Sequence, residues 1–217
     1  MKKNLPVFLI GVLLFFAFVL FSIFVHFDVF TSLDLRTTLK LQALLNRGVD
    51  VPFSFFSLVG SVEIASLILL SMLIFWRKLN TVYILLGYAV FHLIELFGKY
   101  FIDHIGPPFR FFRYDIPFIF PTSGIKPGFS YPSGHAGRTA FLSALIFILI
   151  WNSKTLSKNQ KVICYLLLVT FDLVMFVSRI YLGEHWLTDV IGGALLGSSL
   201  GLLSLFFYTG SIASRKS

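Results

Sequence analysis

KVICYLLLVTFDLVMFVSRIYLGEHWLTDVIGGALLGSSLGLLSLFFY, residues 161–208, holds two apolar runs joined by a dozen residues, SRIYLGEHWLTD (178–189), that carry an arginine, a glutamate, a histidine and an aspartate. A helix crosses bilayer hydrocarbon in roughly 20 apolar residues. The two runs therefore read as an antiparallel pair of spans, with the charged dozen as the turn between them at a membrane surface. Working outward, similar runs lie at about 5–26, 54–76, 81–102 and 135–151, which with about 161–181 and 187–208 make six. Of the 217 residues 57% are hydrophobic and 13% charged, a membrane composition. The expected fold is all-α, an integral membrane bundle of six transmembrane helices forming a single domain over residues 1–217, with no internal repeat or linker.

The first run follows Lys2 and Lys3 as a secretory signal would, but it is too long and has no small-residue cleavage site, so it reads as a retained span. Cys164 falls inside the fifth span, where a buried apolar role is expected and no intrachain disulfide can form. A net charge of +8 would suit a nucleic-acid partner if it were spread evenly. It is not. Six-span topology puts Lys2, Lys3, Arg77, Lys78, Lys154, Lys158, Lys161, Arg215 and Lys216 on one side with no acid among them. That positive-inside pattern predicts cytoplasmic termini in a plasma membrane and no nucleic-acid partner. The remaining charges and the polar stretches then face outward.

Two of the outer connections are informative. The stretch DLRTTLKLQALLNR (34–47) places Arg36, Lys40 and Arg47 on one helical face beside Leu33, Leu41 and Leu44, which suits either a helix lying along lipid headgroups or a solvated one. The second, about 103–133, contains six of the eight prolines and cannot be regular helix. Its phenylalanines and tyrosines either shape an entrance for an acyl or prenyl chain or cap the bundle.

In the charged dozen, His185 and Asp189 are four residues apart and share a helical face. A carboxylate so placed accepts a hydrogen bond from one imidazole nitrogen and leaves the other free as nucleophile or base. Arg179 adds a forked donor suited to phosphate oxygens. YPSGH (131–135) puts Ser133 and Gly134 just before the fourth span and His135 at its opening, where unpaired N–H groups make an anion site. Lys99 closes the outer end of the third span. Each piece alone has an ordinary structural reading; three span ends bringing Lys99, Ser133, His135, Arg179, His185 and Asp189 to one face do not.

At this point the sequence resembles the type 2 phosphatidic acid phosphatases, membrane relatives of the vanadium haloperoxidases and bacterial acid phosphatases. Their three-part pattern is a lysine followed after six residues by Arg-Pro, then Pro-Ser-Gly-His, then Ser-Arg, five residues, His, three residues and Asp. The second part is complete as Pro132 to His135, and the third as Ser178, Arg179, His185 and Asp189. The first departs: Gly106 stands where arginine belongs, ahead of Pro107, and Arg110 or Arg113 is the candidate replacement. The resemblance covers about residues 50–205.

The resemblance implies a lipid phosphate phosphatase whose nucleophile is His185, oriented by Asp189, with His135 as general acid and Lys99, Ser133, Gly134 and Arg179 holding the phosphoryl oxygens. It implies no cofactor or metal, and the chain has no compact His/Cys/Asp cluster of metal-ligand spacing. The partners implied are the bilayer and a lipid phosphate, with undecaprenyl pyrophosphate favoured over phosphatidylglycerol phosphate or phosphatidate. A phosphotransferase using the same phosphohistidine and a non-catalytic lipid binder are the alternatives. Among the other polar residues, Glu95 reads as an ion-pair partner of Lys99, Glu63 as hydrogen-bonded within the bundle, His26 and His92 as structural, and His104 and Glu184 as flanking groups that meet water. Asp172 has no evident partner in the sequence.

Overall fold

The computed structural model describes residues 5–76, 81–116 and 129–214. Among these residues eight α-helices follow one another: α1 (Leu5–His26), α2 (Thr31–Leu44), α3 (Asp50–Ser57), α4 (Val62–Trp76), α5 (Val82–Phe101), α6 (Gly134–Asn152), α7 (Lys158–Tyr181) and α8 (Leu187–Ser214). Among the described residues there is no strand. Among the described residues five helices are long and apolar enough to cross a membrane, namely α1, α5, α6, α7 and α8. A sixth candidate is a bent pair, residues 47–60 and 62–75, that turns by 49° and counts as one span if its two pieces cross together. The bend has a local cause. Ser61 adopts an extended conformation after Gly60, and the Gly60 carbonyl, freed from the helix ladder, accepts a hydrogen bond from Arg138 Nε at 2.9 Å.

The exterior shows which solvent this bundle meets. Leu13 and Phe16 on α1, Phe75 on α4, and Leu166 and Leu167 on α7 are all more than 60% exposed. In water such a surface would drive association; in a bilayer it is the ordinary lipid-facing wall. The protein is thus a multi-pass membrane protein. Its apolar core lies between α1, α4, α5, α6 and α8, and includes Phe18, Leu69, Ile84, Phe91, Phe141 and Leu196.

Helix α8 runs at the centre, packed along α6, α1 and α5. Its seam with α6 depends on residues without side chains. A Cβ on Gly193 would lie 2.2 Å from the Ser133 carbonyl oxygen, and one on Gly197 would lie 1.9 Å from that of Gly137. Small residues let two membrane helices approach until their backbones touch, where dispersion replaces the missing hydrophobic force.

Helix α2 forms where the basic, leucine-rich stretch suggested, but it presents the opposite face to the protein. Asp34 and Thr38 are buried, and Gln42 Nε2 donates to the carbonyls of Phe111 (2.7 Å) and Tyr181 (2.8 Å). Leu33, Leu35, Leu39 and Leu44 are exposed. Of the apolar residues, Leu41 packs inward, beside Ala136, Ile180 and Val190.

The end of the bundle away from Gly134 is closed by the α6–α7 turn. Ser157 and Gln160 form a reciprocal capping box at the start of α7, and Lys161 Nζ reaches the Trp151 carbonyl at 2.9 Å. Lys154, Lys158 and Lys161 therefore sit at the opposite end of α6 from its first residue, Gly134. The other basic residues expected on that side, Lys2, Lys3, Arg77, Lys78, Arg215 and Lys216, lie outside the described residues, as does 117–128 of the proline-rich connection.

Candidate active site

The site is built where α5 ends and α6, α7 and α8 meet the outer connections. Lys99, in the last turn of α5, has its ammonium fixed by Glu95 one turn earlier, at 2.8 Å. Glu95 is 5% exposed, and it also accepts from Arg138 Nη1 (3.2 Å) and contacts His92 Nδ1 (3.1 Å). The expected Glu95–Lys99 pair is therefore one arm of a four-residue network. Gly134 sits over it so closely that an added Cβ would fall 2.0 Å from Glu95 Oε1, and any larger residue would have to push the Glu95 and Arg138 side chains aside.

Ser133 is the N-cap of α6. Its side chain accepts from the Ala136 amide at 3.4 Å, and its own amide donates to the Asp189 carbonyl at 2.9 Å, joining the start of α6 to the start of α8. The first turn of α6 directs its unpaired amides, and the positive end of its dipole, towards the same region. His135 packs beside Gly60 and lies within electrostatic range of Arg179, Arg138, His185 and Lys99.

Arg179 closes α7 and is wholly buried, yet neither its Nε nor its Nη1 makes a hydrogen bond among the described residues; Glu184 pairs with its Nη2. A buried guanidinium with unused donors is costly unless an acceptor reaches it. The backbone then doubles back, with the amides of Glu184 and His185 both donating to the Arg179 carbonyl at 3.2 and 3.3 Å. This delivers His185 to the start of α8. Its Nδ1 lies 3.3 Å from Asp189 Oδ2, which also accepts from the Trp186 amide at 2.9 Å. Nε2 is thereby left for chemistry. Burial pulls the His185 ring below the ordinary histidine range, against the opposing pull of Asp189, so the neutral, nucleophilic form is favoured.

The residues expected to bind and react thus gather at one end of four helices: Lys99, Ser133, Gly134, His135, Arg179, His185 and Asp189. The two candidate replacements for the motif arginine stand elsewhere. Arg110 lies over the Phe111 ring, 5.0 Å from its centroid, and lines a cavity of about 440 Å³ with Asp28, Asp34, Asp103 and Gly106. Arg113 is engaged with Tyr181, whose hydroxyl accepts from Nη1 at 3.0 Å and donates to Asp50 at 2.5 Å.

Several residues take positions that differ from the expectation or were not anticipated. His104 does not meet water; it is 6% exposed and lies beside Thr188, Asp34 and Asp189. Arg138 and Asp34 gave no signal, because a single charge beside a motif or on an amphipathic stretch reads as solvated. Glu184 pairs with Arg179. Glu63 stands in the first turn of α4, where the helix dipole accepts an acid, and makes no hydrogen bond among the described residues. Asp172 accepts from Ser143 Oγ at 2.7 Å, on the wall of a groove of about 930 Å³. Cys164 is half-buried.

With this geometry established, comparison with known proteins is decisive for the family. The family model described as PAP2 superfamily matches residues 79–212, which takes in α5 to α8 and every residue gathered above. The chain belongs to the PAP2 superfamily. Phosphatidylglycerophosphatase B of Bacillus subtilis is 32% identical over 138 residues, 63% of this chain and 60% of that protein. An undecaprenyl-diphosphatase of Sulfolobus acidocaldarius is 34% identical over 91 residues, 41% of this chain and 39% of the relative. The matched regions thus span less than two thirds of these relatives. Among solved structures, a transmembrane PAP2 type phosphatidylglycerolphosphate phosphatase from Bacillus subtilis superposes with a TM-score of 0.70 at 22% identity, covering 94% of this PAP2 chain and 96% of that one. At that identity the likeness speaks for the fold.

Proposed function

We propose that this PAP2 protein is a lipid phosphate phosphatase that works through a phosphohistidine on His185. The observation that carries the reading is Arg179, fully buried with Nε and Nη1 free of hydrogen bonds, set beside a histidine whose second nitrogen is held by a carboxylate. A phosphoryl group supplies the acceptors that this guanidinium lacks. Lys99, Ser133, the Gly134 amide and Arg179 hold its oxygens where charge gathers in the transition state.

The steps balance without a metal. His185 Nε2 attacks phosphorus, the bond from phosphorus to the leaving oxygen breaks, and His135 gives that oxygen a proton. Water then attacks the phosphohistidine, His135 takes a proton from it, the phosphorus–nitrogen bond breaks, and inorganic phosphate departs. Asp189 stabilises the His185 imidazolium that forms on the way.

The substrate is a lipid pyrophosphate or monophosphate, with undecaprenyl pyrophosphate first and phosphatidylglycerol phosphate and phosphatidate next. The names of the Sulfolobus and Bacillus relatives support these classes. The site faces the extracytoplasmic side, with both termini cytoplasmic; the lysine-rich turn at the opposite end of α6 supports that orientation. The test is phosphate release by purified protein in detergent across these lipids and a soluble phosphate ester at matched concentrations. A lipid preference with release abolished in His185→Ala is expected; equal release by wild type and variant removes the nucleophile.

A further inference from the structure

The best-organised polar cluster that the proposed mechanism does not use lies behind Asp189, on the side away from His185. Asp189 is 0% exposed, and its Oδ2 is fully occupied by His185 and Trp186. Its Oδ1 has no hydrogen bond, and His104 Nε2 lies 3.6 Å from it, within ion-pair reach. Thr188 Oγ1 is 3.1 Å from the same nitrogen and donates to Asp34 Oδ2 at 2.7 Å, while the Thr188 amide donates to Asp34 Oδ1 at 2.9 Å. Asp34 thus caps α8 from a different helix, α2. Because the one hydroxyl proton of Thr188 goes to Asp34, the hydrogen between Thr188 and His104 belongs to His104 Nε2. That N–H is surrounded by three acceptors: Thr188 Oγ1, Asp34 Oδ2 at 3.8 Å and Asp189 Oδ1.

The loop carrying His104 is itself held firmly. Its carbonyl accepts from the Ser130 amide (3.0 Å) and hydroxyl (3.2 Å), and Trp186 Nε1 donates to the Ile105 carbonyl at 2.8 Å. Two residues further on stands Gly106, so the connection that lacks the motif arginine supplies a buried imidazole instead.

We propose that His104 and Asp34 are positioning residues: with Thr188 they form a buried relay from α2 to α8 that holds the Asp189 carboxylate, and through it the His185 ring, in the orientation for attack. The inference rests on His185 being the nucleophile. It predicts a defect in chemistry rather than in substrate binding, because neither residue touches the groups that grip phosphate.

The experiment is steady-state and single-turnover kinetics of the full-length protein with labelled undecaprenyl pyrophosphate, comparing wild type, His104→Ala, His104→Gln and Asp34→Asn. In metal sites, loss of the partner that orients a liganding histidine costs about 10- to 100-fold in affinity or activity, and an effect of that order is expected for a partner that orients a nucleophilic one. His104→Ala is expected to lower kcat and the rate of phosphohistidine formation by about that factor, with KM within about two-fold. His104→Gln keeps an N–H near the same place and should recover most of the rate. Should His104→Ala fail to fold, Asp34→Asn makes the same comparison: its amide turns a donor towards Thr188, reverses that hydroxyl, and should lower kcat with KM unchanged. A kcat within two-fold of wild type in the folded Ala or Asn variant, a matching rise in KM, or a Gln variant as slow as Ala would overturn the relay. Wild-type turnover without phosphohistidine would instead remove the reading beneath it, and the relay with it.

Discussion

The N-terminal half of α8 is gripped by unlike neighbours on its two sides. Against α6 the grip is backbone to backbone, through Gly193 and Gly197. Against α2 it runs through buried polar groups, with Asp34 accepting from both the amide and the hydroxyl of Thr188, while Gln42, further along α2, ties that helix to the carbonyl of Tyr181 at the end of α7. The first kind of contact fixes distance, because a seam of small residues has no slack. The second fixes orientation, because hydrogen bonds are directional and, once buried, cost about 1–3 kcal/mol when one partner is lost. A phosphoryl-transfer site needs both: a set separation between the two histidines and a set angle for the attacking ring.

The difference is open to attack at several points. The largest effect should come from the seam. Gly197→Leu forces a side chain onto the Gly137 carbonyl, which cannot yield without moving α6, and overpacking of this kind costs about 3 kcal/mol or more. Thermal unfolding in detergent should show a large drop in Tm, with activity lost in proportion; a Gly197→Leu protein as stable as wild type would show that the helices are not held at backbone contact.

The next effect is read at His185, where the two grips meet. In the proposed mechanism its neutral form is the nucleophile, and burial lowers its pKa, so the acid limb of kcat/KM should fall below the ordinary histidine value of about 6.5. Asp189 pulls the other way. Asp189→Asn should therefore move the limb still lower while reducing kcat, by up to about 10⁴-fold if the tautomer is lost as in other histidine–carboxylate pairs. A limb that stays in place or moves up in the Asn variant contradicts the assigned contact.

The smallest effect belongs to the outer part of the polar grip. Gln42→Ala removes two hydrogen bonds to the carbonyls of Phe111 and Tyr181, far from the phosphate groups. A loss of about 1–2 kcal/mol, seen as a Tm a few degrees lower with kcat unchanged, is expected. A fall in kcat with no change in Tm would move Gln42 into the positioning layer.

The same contrast explains what could be read from the sequence. The spans were legible because hydrocarbon demands length and apolarity, whatever the tertiary packing. The gathering of Lys99, His135, Arg179, His185 and Asp189 was legible because each stands at the outer end of a span, and span ends on one side of a bilayer must share a surface. Helix α2 was legible as a helix at the membrane surface or in solvent, but which of its faces meets the protein was not: Asp34, Thr38 and Gln42 face inward and most of the leucines face out. Where the surroundings are lipid rather than water, apolar side chains gain nothing by turning inward, and polar groups that find partners in the protein do. His104 was taken for a solvated residue for a related reason: a single histidine in a proline-rich loop shows nothing of the two carboxylates that the fold brings to it. Arg138 was hidden likewise, since its partners Gly60 and Glu95 lie 78 and 43 residues away.

The central claim is that a phosphoryl group passes through the His185 ring while Arg179 and the start of α6 hold its oxygens. The most direct measurement is a rapid acid-free quench of the wild-type protein during turnover of a lipid pyrophosphate labelled at the terminal phosphorus, followed by peptide mapping. The account predicts base-stable, acid-labile label on the peptide that contains His185, formed more slowly in His135→Ala, which lacks the general acid. Label on any other residue, or turnover with no protein-bound label in either protein, would contradict it.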